Sequence, residues 1–486
     1  MNPAVSSTVA DNTLGIRAPS NVVLAIIATS TAGTAATPQL VANVPDLQTG
    51  FGGGVLVELA AYAIERYGIQ CLCCRAASTV AGSYGTITLA GTGTSVPSGD
   101  GTIKPDNDYD IWIKFLTGGT IGVTGITYQL SLDGGTTLVN GGAVFALGTA
   151  TNIVFPDGSV KIILGAGTIV ALDVVSGRGI APKWDTTALD AALAALAATQ
   201  SKWTYLEIGG DLDSTAVSTI DAKLEVMRAA GRKRRAMGHF RRPNVAESEA
   251  TYRTAFQTAL AASSSRRLTV VAGWAGIDSS VSRRRYIRPP SLAVAPLVAS
   301  VGEEIDVAEL RFGPLPGVFI RDANGNVLHH DETQNPGLDD DRALTLRTWE
   351  GRGLGAWVNN PKLLSPVGSD YLYVQLGRVV DLADTISKEE LEPLCSKGVT
   401  VKTDGSGQIT EEDAASIEGQ VNARLAREMT GLRKCSTAIF TLSRTDNVLQ
   451  TGQISWQTRV VPLAYLKKLV GVVALVASDK APVTVV

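Results

Sequence analysis

At 486 residues, 45% of them apolar and 18% charged, with 50 glycines, the chain is long enough for roughly two to four domains with ample core, and its composition excludes a disordered chain. A formal net charge of −3 supplies no overall basic field for nucleic acid or an acidic membrane surface. The apolar runs Val22 to Ile27 and Leu469 to Ala477 fall short of the roughly 18 to 20 residues that cross a bilayer, so no membrane insertion is expected.

Met1 to Ser20 is small and polar with little periodicity and reads as an arm that does not fold alone. It lacks a basic stretch followed by an apolar one, so no secretory leader is expected there. Val22 to Ala28 (VVLAIIA) reads as a strand, Val55 to Tyr67 has apolar residues at helical spacing, and Ile69 to Cys73 is a second apolar run, together a β-α-β opening. From about Gly82 to Gly179 the texture changes to Gly, Thr and Val with short alternating runs. Tyr109 to Phe115 (YDIWIKF) and Ile126 to Leu132 are examples, with a turn at Asp133-Gly134-Gly135. This reads as an all-β domain, residues 86–180, inserted into an α/β core made of 21–85 and 181–342.

The α/β pattern resumes at Trp184. Thr187 is placed as N-cap of the helix Ala188 to Ala198, and strands Trp203 to Ile208, Arg235 to Phe240 and Leu268 to Trp274 alternate with helices Ser214 to Ala230 and Ala246 to Ser263. Such alternation predicts a mainly parallel sheet with flanking helices. After Pro289-Pro290 a helix is predicted over Ser291 to Val301. A smaller α+β C-terminal domain, 343–474, is predicted to contain a strand Tyr371 to Asp381, a helix Glu411 to Met429 begun by Thr410 and Asp413, and strands Ala438 to Ser443, Gln453 to Pro462 and Val470 to Val476. Residues 475–486 form a β-prone C-terminal arm.

Residues that could carry chemistry are sparse. Of the three histidines, His239 ends a strand without a G-x-S-x-G elbow and is read as structural, while His329 and His330 beside Asp331 are expected to be solvated in a loop. Gly231 to Arg235 (GRKRR), Arg241, Arg242 and Arg283 to Arg285 either bind phosphate or an acidic partner or are solvated helix ends. Asp404 to Asp413 resembles part of a calcium loop, but Lys402 falls on the first ligand position, so turn plus helix cap is the better reading. No G-x-x-x-x-G-K-[ST] occurs. No catalytic, cofactor-binding or metal residues are expected, and no cofactor.

Three stretches resemble the contractile phage tail sheath family in their order and spacing. They are Tyr286 to Val298 (YIRPPSLAVAPLV), Thr345 to Gly355 (TLRTWEGRGLG) with Trp357 and Tyr371 to Asp381 (YLYVQLGRVVD), and the final β-rich stretch. The opening with Pro38 to Val44, Gly52 to Gly54 and RYGIQCLCCRA is ordered like that family's, and Ser131, Asp133, Gly134 and Gly135 are similar to a phage-protein hairpin ending. The resemblance implies a structural, non-enzymatic subunit that stacks with itself as hexameric rings around a tail tube and contracts to drive the tube through a target envelope. It also implies tail tube, baseplate and neck or tail-terminator proteins as partners. Residence in the virion tail follows, with synthesis and assembly in the host bacterial cytoplasm, and no nucleic-acid partner. The arms Met1 to Ser20 and Leu475 to Val486 are then strand-exchange segments. The alternatives are a β-rich extracellular adhesin or surface protein, favoured by the Gly/Thr-rich insertion, and an α/β enzyme.

The five cysteines, Cys71, Cys73, Cys74, Cys395 and Cys435, are candidate intersubunit thiols, because an odd number cannot be consumed by bridges within one chain. Strand alternation should turn Cys71 and Cys73 to one face and Cys74 to the other, so that not all three are expected to be buried. The alternative is five reduced, inert thiols packed as small hydrophobes.

Overall fold

A computed structural model of the chain describes residues 23–467 except 204, 323 and 367. The two proposed arms and the strand expected at 470–476 lie outside the described residues. The chain divides into two compact units, one ending at Gly377 and the other beginning at Arg378.

The first unit opens with β1 (Val23–Ala28), the short β2 (Gln39–Val41), helices α1 (Val44–Phe51) and α2 (Val55–Tyr62), and β3 (Gln70–Arg75). The following stretch to residue 180 is strand and turn, apart from a 3-10 turn at Val139–Gly141. Its central strands are β4 (Tyr109–Thr117), β5 (Thr127–Ser131) and β6 (Val174–Ile180), with β4 paired antiparallel to both others. On β4 the alternate residues Tyr109, Ile111, Ile113 and Phe115 are buried. One face of the sheet therefore meets its own core, as the alternating run predicts.

The chain then builds α3 (Thr186–Ala198), β7 (Tyr205–Asp211), α4 (Ser214–Ala229), β8 (Arg235–His239), α5 (Glu249–Leu260) and β9 (Leu268–Val271). The N-cap of α3 is Asp185, whose carboxylate accepts from the Ala188 amide, and not Thr187 as the sequence suggested. Strand order in the core sheet is β9-β8-β7-β1-β3-β2, parallel throughout except for β2. Helices cover both faces, so core strands are continuous apolar runs. Leu24, Ile26 and Ala28 of β1 pack toward α2, whereas Ala25 and Ile27 pack toward α3 and α4. A hairpin, β10 (Ala275–Asp278) and β11 (Arg285–Arg288), leads to α6 (Ser291–Ser300), in which every residue except Ser300 is buried. Leu344, Leu346, Val358 and Leu363 belong to the same apolar cluster as Leu24 and Ile26.

The predicted strand Tyr371 to Asp381 is instead the start of helix α7 (Val374–Leu391). Its β-branched opening suggested a strand, but Val379, Ala383 and Ile386 are buried three or four residues apart, the period of one helical face. In the second unit α8 (Glu411–Leu425) starts at Thr410, whose side chain accepts from the Asp413 amide as expected. It ends in a π turn, Ala426–Thr430. An antiparallel pair, β12 (Thr437–Leu442) and β13 (Trp456–Val461), packs Phe440 fully buried in the cluster with Val421, Leu425 and Met429 of the helix and its last turn.

Candidate functional site

β1 connects toward β3 and β7 toward β8, in opposite directions across the sheet, so their C-terminal ends diverge at a topological switch point, the usual ligand crevice of an open α/β sheet. Here the segment leading into β4 enters that crevice. A Cβ added at Gly53, in the turn before α2, would lie 2.8 Å from the Asp106 carboxylate, and one at Gly54 would lie 3.2 Å from the Asp106 carbonyl. What remains is a cavity of about 40 Å³ lined by Glu58, Asp108, Lys183, Asp211, His239 and Arg288 among others. Such a space holds a few waters.

Arg288, 3% exposed, dominates its floor. Its guanidinium stacks 4.7 Å from the Tyr286 ring and 5.7 Å from Tyr109, and Nη1 donates to the Asp108 carbonyl. Nε and Nη2 are buried without a hydrogen-bond partner. Around it, Glu58 accepts from Ser279 Oγ (2.9 Å), Asp106 from Tyr109 Oη (2.8 Å), and Asp108 from the Ala181 amide (3.2 Å). Burial pushes all three carboxyls above their ordinary range, and the Arg288 charge opposes this only in part. Lys183 and Asp211 pair at 2.6 Å.

Beneath the cavity lies a serine-histidine contact that no sequence motif announces. Ser291 Oγ is 3.3 Å from His239 Nδ1, with Ser291 fully buried and His239 3% exposed. Burial lowers the His239 pKa to about 4, and the ring stands edge-on to Trp274 at 5.7 Å. Glu207 is also fully buried, and burial raises its pKa well above the usual range against the smaller lowering effect of Ser291. A nucleophile without solvent access and a base on the wrong side of neutrality do not make an acyl-transfer site. The geometry fits the structural reading of His239.

His330, expected to be solvated, is buried. Its Nδ1 lies 2.9 Å from Glu249 and its Nε2 2.9 Å from Glu332. Burial alone would lower its pKa, but the two carboxylates outweigh burial and raise it to about 9. Asp331 beside it is fully buried and takes Arg321 Nη2 and Thr348 Oγ1, each at 2.6 Å. The TLRTWEGRGLG stretch thus has a physical role: Thr348 anchors Asp331, and Arg347 lies 4.1 Å over the Trp349 ring.

Several of the basic residues pair with acids. Arg241 meets Glu247 at 2.7 Å, Arg242 meets Asp110 of β4 at 2.7 Å, Arg283 meets Glu65 at 2.7 Å, and Arg285 meets Asp278 at 2.8 Å. Arg235 is buried and donates to the Arg266 carbonyl, and Arg234 covers Trp203 at 4.9 Å. Arg232, just past the end of α4, and Arg283 stay exposed, as the solvated reading expects, whereas Arg235 and Arg242 are drawn into contacts within the fold. Around Asp404 the carboxylates serve their own loop: Asp404 accepts from Ser406, and Asp413 from the Thr400 amide.

Cys71, Cys73 and Cys74 alternate across the sheet as expected, but all three are buried, because β3 is flanked by β1 and β2 and helices cover both of its faces. Burial raises their thiol pKa values. Cys435 is buried too, and among the five only Cys395 is exposed.

Among its described residues, the second unit offers an open strand edge. On β12 the outward groups are occupied by α8: Phe440 exchanges bonds with the Asn422 side chain (2.8 and 3.0 Å), and the Leu442 amide donates to Glu418 (2.7 Å). Phe440 and Leu442 lie opposite Thr458 and Trp456. In an antiparallel ladder both members of such pairs turn their main-chain groups outward, so Trp456, Thr458 and Val460 present N–H and C=O groups along the far side of β13. No strand pairs with that side among the described residues.

The family described as DUF2586, N-terminal domain, matches residues 2–352. No curated protein matches the sequence. Among solved structures, the sheath complex of an extracellular contractile injection system (PVC) in its contracted state is 11% identical. It covers 99% of this chain and 98% of its own, with a TM-score of 0.51. The sheath tail protein Lin1278 from Listeria innocua is 13% identical over 93% of this chain and 97% of that one (TM-score 0.46). A chain of the anti-feeding prophage (AFP) baseplate is 12% identical over 61% and 76% (TM-score 0.40). At these identities the likeness to the PVC sheath is one of fold. No helix among the described residues is long and apolar enough to cross a membrane.

Proposed function

The chain belongs to the DUF2586 family, and from its fold we propose that it is the sheath subunit of a contractile injection tail. The observation that carries this reading is the shared fold with a contractile sheath subunit along nearly the whole of both chains, which a single common domain would not produce. In this reading subunits stack as hexameric rings around a tail tube, in contact with baseplate and neck or tail-terminator proteins. Contraction to a tighter lattice then drives the tube through the target envelope. The particle is the tail itself, assembled in the bacterial cytoplasm.

The work of such a machine is mechanical, and energy is stored when the stretched lattice assembles. That requires a rigid body and compliant links between bodies. The doubly covered parallel sheet supplies the first. For the second, the segments 1–20 and 475–486 are the donors of strand exchange, and the outward side of β13 is the acceptor, since an added strand gains main-chain hydrogen bonds there. Negative-stain electron microscopy of the purified full chain tests the proposal. Tubes with a regular axial repeat are expected, and monomers alone at every concentration and salt condition would overturn it.

A further inference from the structure

We infer that the joint between the inserted β domain and the α/β core is proton-linked, with Glu58, Asp106 and Asp108 gathered around Arg288 so that docking takes up protons and rising pH loosens it. The inference does not rest on the sheath reading.

The joint has two sides. Glu58, from α2, and Arg288, at the end of β11, belong to the core. Asp106 and Asp108 belong to the linker that enters β4. Behind them Tyr286 of the core packs in the apolar cluster of the inserted domain, edge-on to Tyr109 at 5.7 Å, and Arg242 of the core holds Asp110. Docking therefore brings the Glu58 and Asp108 carboxyls and the Arg288 guanidinium to the wall of a cavity of about 40 Å³, with the Asp106 carboxylate packed nearby against Gly53.

The charges do not balance. Lys183 and Asp211, at the cavity wall, neutralise each other. Arg242 pairs with Asp110 and also acts on Asp108, but not on Glu58 or Asp106. His239 is uncharged, because burial holds its pKa at about 4. Ser279, Tyr109 and the Ala181 amide each donate one hydrogen bond to one of the three carboxyls, and Asp157 adds further negative charge toward Asp106. Arg288 alone faces Glu58, Asp106 and Asp108 together. Burial is the main reason the ionised forms are disfavoured, and the Asp106 charge adds to it at Glu58, so each carboxyl releases its proton at a higher pH docked than in water.

The sign follows from that direction. Each carboxyl has a higher pKa docked than undocked, so docking is favoured fully below the ordinary carboxyl range. That contribution is lost as pH climbs toward the docked values. For each proton linked, the docking equilibrium shifts by up to about tenfold per pH unit within that window.

The test is hydrogen exchange on the full-length protein, from about pH 5 to pH 9, with rates corrected for intrinsic pH dependence. It follows peptides covering 52–58 and 103–109. Protection in these peptides should fall with rising pH, while peptides in β7 and β8 stay flat, and Glu58→Gln with Asp108→Asn should abolish most of the slope. Equal protection across the range, or an unchanged slope in the double variant, overturns the inference.

Discussion

Replacing Thr458 by proline tests whether the outward side of β13 is where subunits join. Trp456, Thr458 and Val460 each turn one N–H and one C=O outward, so an added strand can form up to about six main-chain bonds. At about 0.5–1.5 kcal/mol net for each, the junction is worth roughly 3–9 kcal/mol. Proline at 458 deletes the central outward donor, and its ring pushes the incoming backbone away from the neighbouring acceptor. The loss is about 1–3 kcal/mol per junction, or roughly 5- to 150-fold in its equilibrium constant, repeated at every subunit of a lattice. The hairpin itself should survive, because its own ladder bonds lie at Gln457 and Arg459, and proline is tolerated where a strand's N–H faces away from its partner. The substitution also removes the hydroxyl contact between Thr458 and Ser387 at 2.9 Å, for which Thr458→Val is the control. Sedimentation velocity and negative-stain imaging would show folded monomer for Thr458→Pro and tubes for Thr458→Val. Tubes of ordinary length and stability from Thr458→Pro would refute the edge assignment.

Deleting Leu475 to Val486 should likewise leave a folded monomer that cannot polymerise; long sheaths from the truncated protein would remove that segment from consideration as a strand donor. In native protein Cys395 should react with a thiol reagent at least about tenfold faster than the other four cysteines. Non-reducing electrophoresis of assembled particles, with free thiols blocked first, should lose any dimer band in Cys395→Ser, and a band that persists would implicate a thiol that the fold buries. Excising residues 86–180 with a short linker should leave a soluble core that still melts cooperatively, but at lower temperature because Tyr286 loses its apolar surroundings. A core that fails to fold would mean that the insertion is integral to it. His330, with its pKa raised to about 9 by Glu249 and Glu332, contributes stability that is complete below about pH 6.5 and lost as pH rises through about 9. His330→Gln should therefore narrow the melting difference between pH 6 and pH 10, and an unchanged difference would argue against the clamp.

Much of the α/β alternation was legible because its cues are local. VVLAIIA and the apolar spacing from Val55 to Tyr67 are periodicities within one element, and Thr410 sits three residues from the amide it caps. The strand Tyr109 to Phe115 was readable for the same reason, as the alternate burial on β4 shows. α7 was misread because Tyr371 to Val380 is rich in β-branched and aromatic residues, and only the packing of Val379, Ala383 and Ile386 reveals its period. The joint was invisible in one dimension. Arg242 and Asp110 are 132 positions apart, and Arg288 and Asp108 are 180 apart. Arg242 looked like part of a surface run because its acid, Asp110, lies far away in sequence. The thiols were misjudged on different grounds: alternation was right for Cys71, Cys73 and Cys74, but whether a strand is covered on one face or two is a property of the whole sheet.

The position of β1 has a mechanical consequence. It lies inside the sheet, with Val23 to Ala28 paired to β3 on one side and Leu24 to Ile27 paired to β7 on the other, all in parallel. Tension applied to the chain ahead of Val23 therefore acts along the strand, and the evenly spaced bonds on both flanks share the load and must shear together. β13, whose one partner strand among the described residues is β12, resists tension along its length in the same way. A force directed away from β12 meets its bonds one at a time and peels it. Tensile strength in this molecule is thus directional, greatest where the chain enters the parallel sheet and least at the open edge of the C-terminal hairpin.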